Sequence, residues 1–475
     1  MAAVSRSLNR KVVAVTIGAA LGGFLFGFDS SVINGAVDSI QGEFALTDTA
    51  TGFTVASALL GCAVGAWFAG ALANRWGRIR VMVIAAILFF VSAILSGLAF
   101  NVGDLILWRV VGGLAVGAAS VIAPAYIAEV APATFRGRLG SLQQLAIVTG
   151  IFAALLTSQV FAEAAGGASQ DLWLGLEAWR WMFMAEALPA VVYGLVALRL
   201  PESPRYLVAK HRDEEAKAVL REVGEDDVDA KVHEIRTSTG DDERRALSDL
   251  RGSSFGLKPI VWTGIGLAVL QQFVGINVIF YYSTTLWQSV GFSEKDAFLT
   301  STITSVTNIV VTIVAIILVD RIGRRRLLLI GSVGMFVMLA AMSLAFSHAT
   351  LNAEEQAVLT GNWDIVALIG ANGFVVFFGA TWGPVVWVLL GEMFPNRIRA
   401  TALAVAAAAQ WIANFTVTIT FPALSTFSLS FAYGIYAFMS LVSYFFVLRR
   451  VRETKGVELE DMTDTSTVRS VTKVG

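Results

Sequence analysis

Twelve long apolar stretches leave this chain one medium to fold in, a lipid bilayer. They run approximately over residues 12–36, 52–73, 81–100, 105–130, 138–162, 181–200, 259–290, 297–319, 327–347, 364–393, 400–424 and 428–448. About 20 residues of α-helix cross a hydrocarbon core about 30 Å thick. Lipid offers the backbone no hydrogen-bond partner, so each stretch must satisfy its own groups as a helix. The chain is 56% hydrophobic and 15% charged, where a soluble chain would be about a quarter charged. The expected fold class is therefore an all-α membrane protein with twelve transmembrane helices. No removable signal peptide is expected, because the apolar run from Val12 is too long and lacks a small-residue cleavage site.

Basic residues sort to one face. Connections leaving the even-numbered stretches hold Arg75, Arg78 and Arg80, then Arg136 and Arg138, the 201–258 segment, the Arg321/Arg324/Arg325/Arg326 cluster, and Arg397 with Arg399. Arg10, Lys11, Arg449, Arg450 and Arg452 flank the apolar region at its two ends. The opposite connections hold only Arg180 and Lys295, while Arg109 lies inside the fourth stretch. The positive-inside rule makes the basic face cytoplasmic, with both termini, and the expected location is the cell membrane. The net charge of −1 hides this asymmetry.

Several chemistries are disfavoured. Cys62 is the only cysteine, which excludes an intramolecular disulfide or a cysteine metal cluster. His211, His233 and His348 fall in aqueous connections, so no membrane histidine carries protons. No GxxxxGK[ST] phosphate loop occurs, and no nucleophile–base set stands out. Neither an enzyme, a metal site, an organic cofactor nor a nucleic-acid partner is expected.

The chain repeats itself. The fourth stretch ends Glu129-Val-Ala-Pro-Ala-Thr-Phe-Arg136 and the tenth ends Glu392-Met-Phe-Pro-Asn-Arg-Ile-Arg399, both E-x-x-P-x-x-x-R. Asn74-Arg-Trp-Gly-Arg78 after the second stretch is echoed by Asp320-Arg-Ile-Gly-Arg324 after the eighth, and Pro201-Glu-Ser after the sixth by Arg452-Glu-Thr after the twelfth. Three matches in one order imply a duplication: a six-helix half over 1–200 and another over 259–448. A linker of two to four short amphipathic helices is expected over 201–258, and a tail over 449–475.

The repeated motifs place carboxylates and guanidinium forks at helix ends on the basic face, where Arg can engage a carboxylate bidentately. Topology alone would accept any basic residue. Glu and Arg at fixed spacing in both halves point instead to a latch between the halves, made when that face shuts and broken when it opens. Its candidate members are Arg75, Arg78, Glu129, Arg136, Glu202, Arg321, Glu392, Arg399 and Glu453.

Asp29 and Arg109 are charges at membrane depth. Such groups cost from a few to more than ten kcal/mol and persist only when paired, wetted or used. Asp29 is the candidate proton carrier, Arg109 a second charge at that depth that could take part in coupling, and Glu186 in the sixth stretch a second acid. A permanent Asp29–Arg109 pair that only orients helices is the plainer alternative.

These motifs identify a resemblance. Arg75-Trp-Gly-Arg78, Pro201-Glu-Ser-Pro-Arg-Tyr-Leu207, Gln271-Gln-Phe-Val-Gly-Ile-Asn277 with Tyr281-Tyr282, Gly383-Pro-Val-Val-Trp387 and Gln410-Trp411 together resemble the sugar porter family of the major facilitator superfamily along nearly the whole chain. Asn74 departs from the acidic residue of the general superfamily motif, as it does in members of the sugar branch. The chain is similar to bacterial proton–xylose and proton–glucose symporters, and to animal facilitative glucose carriers, which are neutral at the position of Asp29. The resemblance implies sugar contacts at Gln144, Gln271, Gln272, Asn277, Asn308, Trp387 and Gln410, with Asn414 one turn beyond and Phe26, Tyr281 and Trp411 as walls.

The residue types suit that assignment, since a carboxamide both donates and accepts, as each sugar hydroxyl does. Interhelical bonds of about 1 kcal/mol each could explain Gln144 or Asn308 singly, but not the Gln-Gln…Asn group. Gly275, and Gly383 with Pro384, should break their helices where these line a cavity. The expected function is proton-coupled import of a monosaccharide such as glucose by alternating access, by a chain working as a monomer in the bilayer. A passive sugar carrier, a drug exporter and a sugar sensor are the alternatives.

Overall fold

The computed structural model describes residues 10–130, 136–225, 227–242, 250–351, 357–394 and 398–454. Spans one to five are Arg10–Val32, Asp48–Trp76, Arg78–Gly97, Val102–Val130 and Arg136–Ala165. The eighth and ninth are Glu294–Ile322 and Arg324–Ser347. The last helix, Arg399–Arg450, holds 52 residues, about 78 Å at 1.5 Å per residue and far more than one crossing. Ser428, with an extended backbone (φ −172°, ψ 118°), divides it into the eleventh and twelfth spans.

Three spans are discontinuous. The sixth is split into Ala178–Ala185 and Ala187–Ala197 around Glu186, because Pro189 lacks the N–H that would bond the Ala185 carbonyl. The seventh runs Pro259–Phe273, then Ile276–Tyr281 and Ser283–Gln288, and Gly275 between the first two pieces is left-handed at φ 86°. A side chain there would be strained and would strike the Tyr436 ring. The tenth has a π-helical turn at Phe378–Trp382 before Gly383–Met393. The expected break thus falls just ahead of Gly383 and Pro384.

Three short helices, Pro204–Ala209, Asp213–Glu222 and Val228–Asp242, fill the described part of the linker and share an apolar cluster of Leu207, Val208, Ala216, Val219, Leu220 and Val232. The all-α expectation needs one amendment. Small antiparallel hairpins, Asp171–Trp173 with Leu176–Glu177 and Thr350–Leu351 with Ala357–Val358, occupy two connections on the face opposite the chain ends. Residues 455–475 of the expected tail lie outside the described residues.

The second span packs along the last long helix and the fifth along the eighth, joining the halves. One apolar cluster runs through both halves and includes Phe28, Ile33 and Val55 with Ile276, Tyr281 and Phe298. A second, with Val12, Ala69, Met82 and Val130, draws its buried members from the N-terminal half and the linker. The halves are therefore welded at the far face, away from the chain ends.

Candidate functional site

The N-terminal half buries a charge centre. Arg109 Nη1 donates to Asp29 Oδ1 and to the Asp29 carbonyl, both at 3.1 Å. Both side chains are almost wholly sequestered, at 2% exposure. The Arg109 guanidinium also lies 5.6 Å from the centre of the Phe183 ring. Glu186, 1% exposed, comes within side-chain hydrogen-bonding range of Asp29, because the break in the sixth span turns it inward. Two carboxyls thus face one guanidinium in a buried site. Uncompensated charge is expensive there, so the trio is balanced when the two acids share one proton.

The C-terminal half supplies amides. Gln271 Nε2 donates to the Trp382 and Gly383 carbonyls (2.9 and 3.2 Å), tying the seventh span to the π-turn of the tenth. Gln271 Oε1 accepts from Gln410 Nε2 (2.9 Å) and Gln272 Nε2 (3.5 Å), and Asn277 Nδ2 donates to Gln272 Oε1 at 2.5 Å. Four sequence-selected amides therefore form one chain. Thr418 Oγ1 donates to Asn414 Oδ1 (3.1 Å), and Tyr281 is buried close to Asn414. Asn308 is buried against the tenth-span backbone at Gly379. Phe26 and Trp411 meet across the halves with ring centres 6.0 Å apart. Trp387 is 40% exposed rather than packed away. Gln144 is half-buried. Its neighbour Gln143, not anticipated, is buried against Gly23 with neither amide atom partnered among the described groups.

On the basic face the described ion pairs lie within each half. Arg78 donates through Nε and Nη2 to Glu129 (3.0 and 2.8 Å), and Glu202 accepts from the backbone N–H of Arg78 (3.0 Å) and Ile79 (3.3 Å). In the other half Arg324 forks onto Glu392 (3.1 and 2.9 Å), while Glu453 accepts from the N–H of Arg324 (2.9 Å) and Arg325 (3.2 Å). Ser203 and Thr454 hydroxyls complete the pattern, each donating to the cluster glutamate at 2.5 Å. Each cluster closes within its own half. Glu202 and Glu453 cap the starts of the third and ninth spans, where free N–H groups favour a carboxylate. Arg324 is the counterpart of Arg78, and Arg321, like its counterpart Arg75, is exposed. The Arg136 and Arg399 side chains lie outside the described residues.

The described hydrogen bonds that do bridge the halves lie at the far face. Asn34 Nδ2 donates to Ser283 Oγ and its Oδ1 accepts from the Thr284 N–H, both at 2.9 Å. Asp38 accepts from Thr285 Oγ1 (2.8 Å) and Gln288 Nε2 (3.0 Å), and Glu294 accepts from the Ala168 N–H (2.8 Å). Sequence reasoning missed this closure. The signal available was an amide inside an apolar run with an acid four residues later, on the same helical face.

Comparisons with known proteins agree with this architecture. The family described as "Sugar (and other) transporter" matches residues 15–465. The chain is 55% identical over 457 residues to a glucose transport protein of Synechocystis, covering 96% of this chain and 97% of that one. It is 38% identical over 485 residues to the D-xylose-proton symporter of Escherichia coli, covering 95% of each. The E. coli xylose transporter in an inward-open conformation superposes with a TM-score of 0.80 at 35% identity, covering 95% of this chain and 99% of that one.

Proposed function

This chain belongs to the Sugar (and other) transporter family, and from that premise we propose that it carries a monosaccharide, glucose or a related hexose, inward together with a proton. The face bearing the chain ends is cytoplasmic in this proposal, by its excess of Lys and Arg, and the membrane is the plasma membrane. A single chain encloses the whole pathway and acts as a monomer.

One observation carries the proposal: Asp29, Glu186 and Arg109 form a buried trio of two carboxyls and one guanidinium, beside a chain of linked amides. The amides offer a sugar donors and acceptors together, and Trp387, Phe26 and Trp411 offer apolar faces. A rearrangement that changes the Arg109 contact changes which proton count is balanced, and so couples protonation to the carrier's conformation. The driving force suffices. One charge moving through 100 mV yields about 2.3 kcal/mol, or roughly fifty-fold accumulation at about 1.4 kcal/mol per decade.

The described hydrogen bonds between the halves lie at the far face, which supports reading this as the carrier open to the cytoplasm. The test is uptake of labelled glucose, galactose and xylose into proteoliposomes with and without an imposed pH gradient. Uptake should become concentrative only with the gradient, and Asp29→Asn should end concentration. Undiminished concentration by Asp29→Asn would overturn the proposal.

A further inference from the structure

The charge centre and the amide pocket belong to different halves, so coupling between them needs a physical connection with two arrangements. Tyr281 is where they meet. It ends the short helix that follows left-handed Gly275, is 6% exposed, and lies close to Asn414 in its own half and to Ser30 in the other. Ser30 is the residue after Asp29. A small cavity beside it is lined by Asp29, Ser30, Cys62, Arg109 and Tyr281, and closed by apolar side chains of the first two spans. It has room for about one water molecule, with enough polar walls to hold it. The phenol of one half and the carboxyl of the other therefore line the same small cavity. The titratable and charged groups around it are Asp29, Glu186, Arg109, Cys62 and Tyr281.

We propose that Tyr281 is the positioning residue that ties occupancy of the amide pocket to protonation of Asp29, through Ser30 and one water in this cavity. With the pocket empty, the phenol hydroxyl can donate toward Ser30 and the cavity, where a donor favours the Asp29 carboxylate. A sugar drawing that hydroxyl toward itself and Asn414 removes the donor and favours the protonated acid. Linkage makes the effect reciprocal: a protonated Asp29 leaves the phenol free for sugar, so the two cargoes bind better together than apart. No bond other than hydrogen bonds changes.

The inference rests on the proton-coupled function proposed above, and the experiment separates the two. Proteoliposomes are assayed for sugar counterflow, which needs no net proton movement, and for accumulation under an imposed pH gradient. Ser30→Ala removes the linking hydroxyl, and Cys62→Val fills the cavity with about one methyl group; neither residue touches the amide pocket. Counterflow should stay within about twofold of wild type while accumulation falls about fivefold or more, the size of an ordinary coupling energy. Tyr281→Phe should lower the number of protons moved per sugar, whatever its rate. Accumulation as steep as wild type in both Ser30→Ala and Cys62→Val would overturn the inference, as would a wild-type proton-to-sugar ratio in Tyr281→Phe. Equal loss of counterflow and accumulation in both cavity variants would overturn it too, because a structural defect moves both. A wild-type protein that carries sugar without moving protons would instead overturn the proposed function, before any variant is compared.

Discussion

The two halves match closely at the membrane surface and diverge at its middle. Arg78–Glu129–Glu202 and Arg324–Glu392–Glu453 are near copies in donors, acceptors and distances. At membrane depth the N-terminal half buries Asp29, Arg109 and Glu186, while the C-terminal half carries the linked Gln271, Gln272, Asn277 and Gln410. Surface clusters staple helix ends, a task both halves share. In the proposed function the interior groups serve two different cargoes, which would let the interiors specialise while the frame stays symmetric.

That division can be tested from its strongest consequence downward. Asp29→Asn should remove the whole gradient-driven factor, about fifty-fold at 100 mV, measured as the steady-state sugar ratio across vesicles. Gln271→Ala should act on the other cargo. Removing the hub of the amide chain, at about 1–3 kcal/mol, should weaken sugar binding about 5- to 150-fold in equilibrium titration. If Gln271→Ala left affinity intact while Asp29→Asn weakened it, the assignment of cargo to halves would be reversed.

The symmetric frame makes its own prediction. Gly77 and Gly323 have φ of 97° and 100°, and a Cβ at either would collide with the capping carboxylate of Glu202 or Glu453. Gly77→Ala and Gly323→Ala should each lower thermal stability by about 1–3 kcal/mol; a loss confined to one half would break the comparison. Asn34→Ala should weaken the far-face closure by about 1–2 kcal/mol, the worth of its two bonds to the seventh span. The population open on that face should rise correspondingly, read by alkylation of a cysteine placed beside the amide pocket.

The smallest effect belongs to the linker. Hydrogen bonds from Arg212 and Lys217 hold the carboxyls of Glu215 and Asp229 below the usual carboxylate range. Their folded values are depressed, so their contribution is complete above the unfolded values near pH 4 and is lost as pH falls through the lower folded ones. Amide protection factors over 213–222 should be flat from pH 5 to 8 and fall only in stronger acid.

Much of this was legible in residue order. Apolar length announced the spans, although the eleventh and twelfth are separated only by the extended backbone of Ser428 within an otherwise continuous helix. Gly275 signalled its break because only glycine adopts that backbone without strain. Glu186 stood out weakly, since its proximity to Asp29 depends on how the sixth span bends at Pro189. E-x-x-P-x-x-x-R announced that Glu129 and Glu392 reach a helix end, but not that each would meet the Arg of its own half. Asn34 and Asp38 went unread because an isolated amide or an edge acid has many ordinary uses.

Sequence alone determined the medium, the helix count and the duplication, because lipid penalises every unpaired backbone group and each half repeats its charges at fixed spacing. It also selected most of the amides, which are too costly in hydrocarbon to be incidental. Tertiary structure decided which polar groups meet: the acid pair at Arg109, the closure of each surface cluster within its half, the far-face bridge, and the cavity shared by Asp29 and Tyr281. Those pairings depend on side-chain direction and on how the two halves lean together, and neither is encoded by spacing along a single helix.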